Sequence, residues 1–128
     1  VKKLAVVVTT PPYSNLTITA IDYVETALSQ GIDVIGVFFY QDGAIHANDN
    51  VNVASDEYQA IKHWQKLHND YDLPLHLCIT AAEKRGIVWD DLTNTEKTEQ
   101  SNINDIFTVS GLGELVELST HATRLVQF

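Results

Sequence analysis

The sequence predicts an α/β fold, a flavodoxin-like three-layer sandwich on a five-stranded parallel sheet, and three observations carry that prediction. Short runs rich in β-branched and aromatic residues, such as LAVVV at 4–8 and VIGVFF at 34–39, are apolar on both faces, as strands covered from two sides must be. Between such runs lie segments whose apolar residues recur near helical period. Strands alternating with helices at this spacing require right-handed crossovers, which set parallel strands side by side with helices against the sheet. The 128 residues are read as a single domain, because a chain of this length supports one complete core.

The first strand is KKLAVVVTT at 2–10, stopped by Pro11 and Pro12. In 16–30, Ile18, Ile21, Val24, Ala27 and Leu28 outline a crossover helix, and Gly31 stands where a C-terminal cap belongs. DVIGVFFY at 33–40 is the second strand, ended by Gln41-Asp42-Gly43, and residues 44–54 read as a long polar loop. Ser55 is placed to cap a second helix with Asp56 and Glu57 at its positive dipole end. Tyr58, Ile61, Trp64, Leu67 and Tyr71 then line one face as far as Leu73-Pro74. LHLCI at 75–79 is a third strand, and residues 80–85 form a short helix stopped by Gly86. Residues 90–104, polar and aperiodic, read as an exposed excursion. IFTV at 106–109 is a fourth strand, SGLG at 110–113 a turn, 114–120 a helix, and RLVQF at 124–128 the closing strand.

Seventeen acidic against eight basic side chains give a formal net charge of -9. Strong direct binding to nucleic acid or to a membrane is therefore not expected, whereas a basic protein partner would be steered toward the chain. One cysteine makes no internal disulfide, and no apolar run has the length and flanks of a signal peptide or membrane span, so a reducing cytoplasm is the expected compartment.

In open α/β sheets the working site lies beyond the carboxyl ends of the strands. Three segments reach that edge: 9–17, 41–54 and 78–86. The first, TTPPYSNLT, is hydroxyl-rich and precedes a helix, so a phosphate cradle, as for flavin mononucleotide, is one reading. It has no glycine and two prolines and matches no nucleotide-binding fingerprint, which favours a rigid turn that caps the helix. Cys78 also has two readings. As a lone cysteine in a strand it is a small hydrophobe; as the residue before a helix carrying Lys84 and Arg85 it is a thiolate stabilised by amides and positive charge. Its place at the strand-to-helix junction moves the balance toward an accessible cysteine of low pKa. His76 shares a strand face with Cys78, but as a hydrolase base it lacks a marked orienting partner, and an exposed or edge histidine is the preferred reading. His46, His63, His68 and His121 have no metal-ligand spacing with Cys78, and the pairs Asp56-Glu57 and Asp90-Asp91 are explained by capping and solvation. Neither a metal nor a cofactor is expected.

Several motifs then stand in order along the whole chain: VVVT at 6–9 and P-x-Y before the first helix, VFFYQDGAIHAN at 37–48, ASDEY at 54–58, Trp64, CITAAEKRG at 78–86, FTVSGLG at 107–113 and RLVQF at 124–128. Together they resemble the DsrE/TusD sulfurtransferase family, and within it the cysteine-bearing subunit of a bacterial sulfur relay. One departure is PPYSN at 11–15, where relatives commonly have glycine after the tyrosine. The resemblance implies that Cys78 matches the family's sulfur-carrying cysteine. It would accept sulfane sulfur from an upstream sulfur-carrier protein as a persulfide and pass it to a downstream acceptor protein, toward 2-thiouridine at the tRNA wobble position. It also implies a heterohexamer with two related DsrE-family subunits. The alternatives are a noncatalytic assembly subunit of such a complex, a relay protein of sulfur oxidation, and a flavin- or nucleotide-binding module using 9–17.

Overall fold

Leu4, Ala5, Val6, Val7 and Val8 are buried because β1 (Lys3–Val8) is paired in parallel on both sides, with β2 (Asp33–Phe39) and with β5 (Arg124–Gln127). The computed structural model, which describes residues 2–88 and 101–128, extends the sheet through β3 (Leu75–Cys78) to β4 (Thr108–Ser110). The strand order is β4-β3-β2-β1-β5, and every pairing is parallel. The expected α/β architecture with a five-stranded parallel sheet is therefore present. Its winding is its own: β1 to β4 step across the sheet in one direction and β5 returns to the far side of β1, unlike the 2-1-3-4-5 order of flavodoxin. Right-handed crossovers then put the first three connections on one face and the last on the other. Accordingly α1 (Asn15–Ser29) packs on α2 (Ala60–Tyr71), while α4 (Leu112–His121) meets β1 and β2.

The first crossover forms much as its residues dictate. The Ser14 hydroxyl accepts the Leu16 N–H at 3.2 Å as N-cap, Ala20, Ile21, Val24 and Ala27 are buried, and Gly31 ends the helix at φ +80°. Residues 41–47 differ from the expected loop. They form a 3-10 helix, Gln41–Ala47, that lies against the end of β1. Only small residues permit that approach: a Cβ on Gly43 would collide with the Val8 carbonyl, and Ala44 and Ala47 are fully buried. Long-range packing rather than local periodicity makes this element, which is why its polar composition misleads.

α2 begins at Ala60 and not at Ser55. The Gln59 side-chain amide donates to the carbonyls of Val53, Ala54 and Glu57, and Glu57 N–H bonds the Ala54 carbonyl, so 53–59 is held as a turn. Asp56 and Glu57 therefore precede the helix. Tyr71, assigned to the buried face, is exposed, while Trp64 and Leu67 are buried as expected.

α3 (Ile79–Glu83) takes Ile79 from the expected strand and is stopped at Gly86, φ +71°. Asp90 and Asp91 lie outside the described residues. The segment 101–104, expected to be an exposed excursion, is anchored: Ile103 bridges Asn48, the Asn102 side chain accepts the Val88 N–H at 2.6 Å, and the Asn104 amide donates to Asp49 at 2.9 Å. Among the described residues no helix is long and apolar enough to cross a membrane.

Candidate functional site

β3 and α3 join without a linker at Cys78, the last strand residue and the residue that precedes the first helical turn, at φ -68° and ψ 116°. Its backbone stays extended as the chain turns into α3, whose Ala81 and Ala82 face the interior and which packs on the 3-10 segment. The consequence is a thiol at 0% exposure. The strand end is where the sequence places it; the accessibility expected of it is absent in this arrangement.

A hollow of about 260 Å³ opens beside this junction, rimmed by Tyr40, Gln41, Thr80, Lys84, Arg85 and Leu112. These residues follow the ends of β2, β3 and β4, so the hollow lies where the carboxyl ends of three adjacent strands meet. Gln41 is held at φ +53°, a left-handed conformation uncommon outside glycine. The two cations expected near the sulfur take different parts. Arg85 is tied down: Nε donates to Asp42 Oδ1 at 2.9 Å and another guanidinium nitrogen to the Ala81 carbonyl at 2.9 Å, which fastens α3 to the 3-10 segment. Lys84 is exposed on the rim and makes no ion pair among the described residues.

His76 is not the exposed or edge histidine expected. It is half-buried, with Nδ1 3.2 Å from the Ser110 hydroxyl and Nε2 3.5 Å from Glu114 Oε1. Burial lowers its pKa from the ordinary value, and the Glu114 carboxylate partly opposes that shift. Gly36 on β2 leaves room for the ring: a Cβ there would sit 3.3 Å from the imidazole and 3.0 Å from Leu118 of α4. Sequence reading missed Ser110 and Glu114, whose relation to His76 depends on the β3–β4 register and on the landing of α4.

Three hydroxyls of the 9–17 segment are used internally, while the buried Thr10 Oγ1 has no partner among the described residues. Thr9 donates to the Phe128 carbonyl at 3.0 Å, Thr17 to the Pro11 carbonyl at 2.8 Å, and Ser14 caps α1. This is the rigid capping turn rather than an anion cradle. His46, by contrast, has a structural task invisible in the sequence. It is 4% exposed, and its Nδ1 accepts the Trp64 indole N–H at 3.3 Å. Since the indole only donates, the ring proton resides on Nε2, which donates to the Thr10 carbonyl at 3.0 Å. Burial holds this neutral ring at a pKa of about 4.

Comparison with known proteins agrees with the geometry. Residues 2–128 match the DsrE/DsrF-like family. A protein of Salmonella arizonae named "Sulfurtransferase TusD" is 36% identical over 127 residues, covering 98% of this chain and 99% of its own. The protein of the same name from Salmonella typhi is 35% identical with the same coverage. Among solved structures, the ychN protein from E. coli shares the fold at a TM-score of 0.75 and 17% identity, over 99% of this chain and 98% of that one.

Proposed function

The chain belongs to the DsrE/DsrF-like family, and on that premise we propose that it is a sulfurtransferase carrying sulfane sulfur as a persulfide on Cys78. The Cys78 thiolate attacks the outer sulfur of a donor persulfide, the new S–S bond forms, and the donor leaves as a thiolate. An acceptor thiolate later attacks the outer sulfur of Cys78 in the same way, and Cys78 departs. The observation that carries this reading is the position of the chain's one cysteine at the carboxyl end of an interior strand, beside a hollow with Lys84 on its rim. A single thiol suits a carrier, since a second one nearby would trap the persulfide as a disulfide. With the thiol at 0% exposure, sulfur exchange requires a partner to open the site.

The finer assignment follows the relatives' name. The chain works in the cytoplasm with related DsrE-family subunits in a heterohexamer, between an upstream sulfur carrier and a downstream persulfide acceptor, toward 2-thiolation of the tRNA wobble uridine. The test is mass spectrometry after incubation with a cysteine desulfurase, a sulfur-carrier protein and cysteine. One added sulfur atom is expected on Cys78, and the same label on Cys78→Ser would overturn the assignment. In cells, Cys78→Ser should abolish tRNA 2-thiouridine; unchanged thiolation would overturn the tRNA assignment. One observation favours a second reading, a noncatalytic assembly subunit: the full burial of the thiol. Under it, Cys78 gains no sulfur even with the complete complex present.

A further inference from the structure

On the sheet face covered by α4, polar side chains form a line leading away from Cys78. Cys78 and Ser110 are register partners on β3 and β4; parallel neighbours lie about 4.8 Å apart and their paired side chains share a face. The Ser110 hydroxyl meets His76 Nδ1 at 3.2 Å, and His76 Nε2 faces Glu114 at 3.5 Å. His76 is two residues before Cys78 and so shares the same face. The far end of the line fixes its polarity. An ionised carboxylate only accepts, so the ring proton sits on Nε2, and Nδ1 accepts from the Ser110 hydroxyl at 3.2 Å, the shorter of that hydroxyl's two contacts, the other being the Thr108 carbonyl at 3.4 Å. Lone pairs of the Ser110 oxygen then remain for the strand neighbour. The His76 side chain is 14% exposed and that of Glu114 35%, so the line leads from a buried thiol out to water.

We infer that His76 is a positioning residue for sulfur transfer, taking up the Cys78 thiol proton through the Ser110 hydroxyl as the thiolate forms. The inference rests on the persulfide-carrier reading above. Among the described residues the resting thiol has no hydrogen-bond partner, so the step begins when the side chain turns toward Ser110 on opening of the site. The S–H proton passes to the Ser110 oxygen while the Ser110 hydroxyl proton passes to Nδ1. This leaves a thiolate and an imidazolium that faces the Glu114 carboxylate. The thiolate attacks the donor's outer sulfur; the Cys78–sulfur bond forms, the donor S–S bond breaks, and its electron pair leaves on the donor thiolate. That thiolate takes a proton from water and the imidazolium returns one, so no oxidant or reductant is consumed.

Two features of the surroundings suit the role. Burial lowers the His76 pKa, which keeps the ring neutral and able to accept a proton near neutral pH. The titratable groups facing it are Glu114 from α4 and Cys78 from its own strand; β2 presents Gly36 and Phe38, and β4 presents Thr108 and Ser110.

The test is the rate of Cys78 alkylation by iodoacetamide in the full chain between about pH 6 and about pH 10, for the wild type, His76→Gln and Ser110→Ala. Both variants should react about tenfold more slowly near neutrality and converge with the wild type at the alkaline end. The midpoint then rises by about one pH unit, as loss of a proton acceptor requires. Superimposable profiles, or an equal slowing at every pH, would overturn the role, because a packing defect does not depend on pH. Should His76→Gln melt early, Ser110→Ala, which removes one oxygen from a half-buried site, supplies the same reading. Alkylation involves no sulfur donor, so a shifted profile in a protein that never gains a persulfide would sink the carrier reading alone. Persulfide formation with unshifted profiles would sink His76 alone.

Discussion

His46 connects three pieces of chain with one ring: it sits in the 3-10 segment, donates to the Thr10 carbonyl beyond β1, and accepts from Trp64 of α2. Protonation would force Nδ1 to donate toward an indole that only donates, inside a site with 4% exposure. The folded pKa of about 4 against an ordinary 6.5 sets the sign of the pH dependence. Between those values the unfolded chain binds a proton that the folded chain refuses, so stability is full above about pH 6.5 and falls as pH drops toward 4. A shift of this size corresponds to roughly 3 kcal/mol. Urea unfolding followed by circular dichroism at neutral pH and near pH 5 should show the wild type losing stability, and His46→Gln losing distinctly less. Parallel losses in the two proteins would assign the acid sensitivity elsewhere. The residue types were all legible in the sequence, but the role of His46 was not, because Thr10 and Trp64 reach it only after the sheet has formed.

At the scale of elements, strands and crossover helices were legible wherever one element's own periodicity decides its structure, as in β1, β2 and α1. Elements shaped by distant contacts were not: the 3-10 segment exists because Gly43 fits under Val8, and α2 starts late because Gln59 holds the preceding turn. The same 3-10 segment closes on α3, the element that follows Cys78, through Asp42 and Arg85. The Asp42 side chain is 59% exposed, so the pair contributes little stability, on the order of 0–1 kcal/mol. Its effect is local, since it fastens the element that follows the thiol. Asp42→Ala should therefore speed alkylation of Cys78 several-fold at constant pH while moving the melting temperature by no more than a few degrees. An unchanged alkylation rate would mean that the thiol is reached by another route. A large drop in melting temperature would mean that Asp42 supports the fold rather than the closure.

Over the whole molecule, the parallel sheet and the placement of Cys78 at its carboxyl edge follow from the order of apolar runs. The return of β5 to the far side of β1, and the polar line from Ser110 to Glu114, depend on strand order and register, which periodicity does not encode. An aromatic cluster stands on the face of the sheet that α2 covers. Phe39 meets Trp64 edge-on at 5.2 Å and Phe107 at 5.0 Å, and Trp64 also faces His46 at 6.2 Å. One indole thus joins α2, β2 and the 3-10 segment, and Phe39 extends the cluster to Phe107 in the chain leading into β4. Trp64 is fully buried, and truncation to alanine should cost about 3–5 kcal/mol, a large part of the roughly 5–15 kcal/mol that stabilises an ordinary domain. Trp64→Phe keeps most of the apolar volume but leaves His46 Nδ1 without its donor, an added cost of about 1–3 kcal/mol. Chemical denaturation should rank the proteins wild type, Trp64→Phe, Trp64→Ala in falling stability. In a His46→Leu background, where the Thr10 carbonyl has already lost its donor and the indole its acceptor, Trp64→Phe should cost distinctly less than it does in the wild type. An equal cost in the two backgrounds would show that the cluster depends on shape and not on the matched N–H and ring nitrogen.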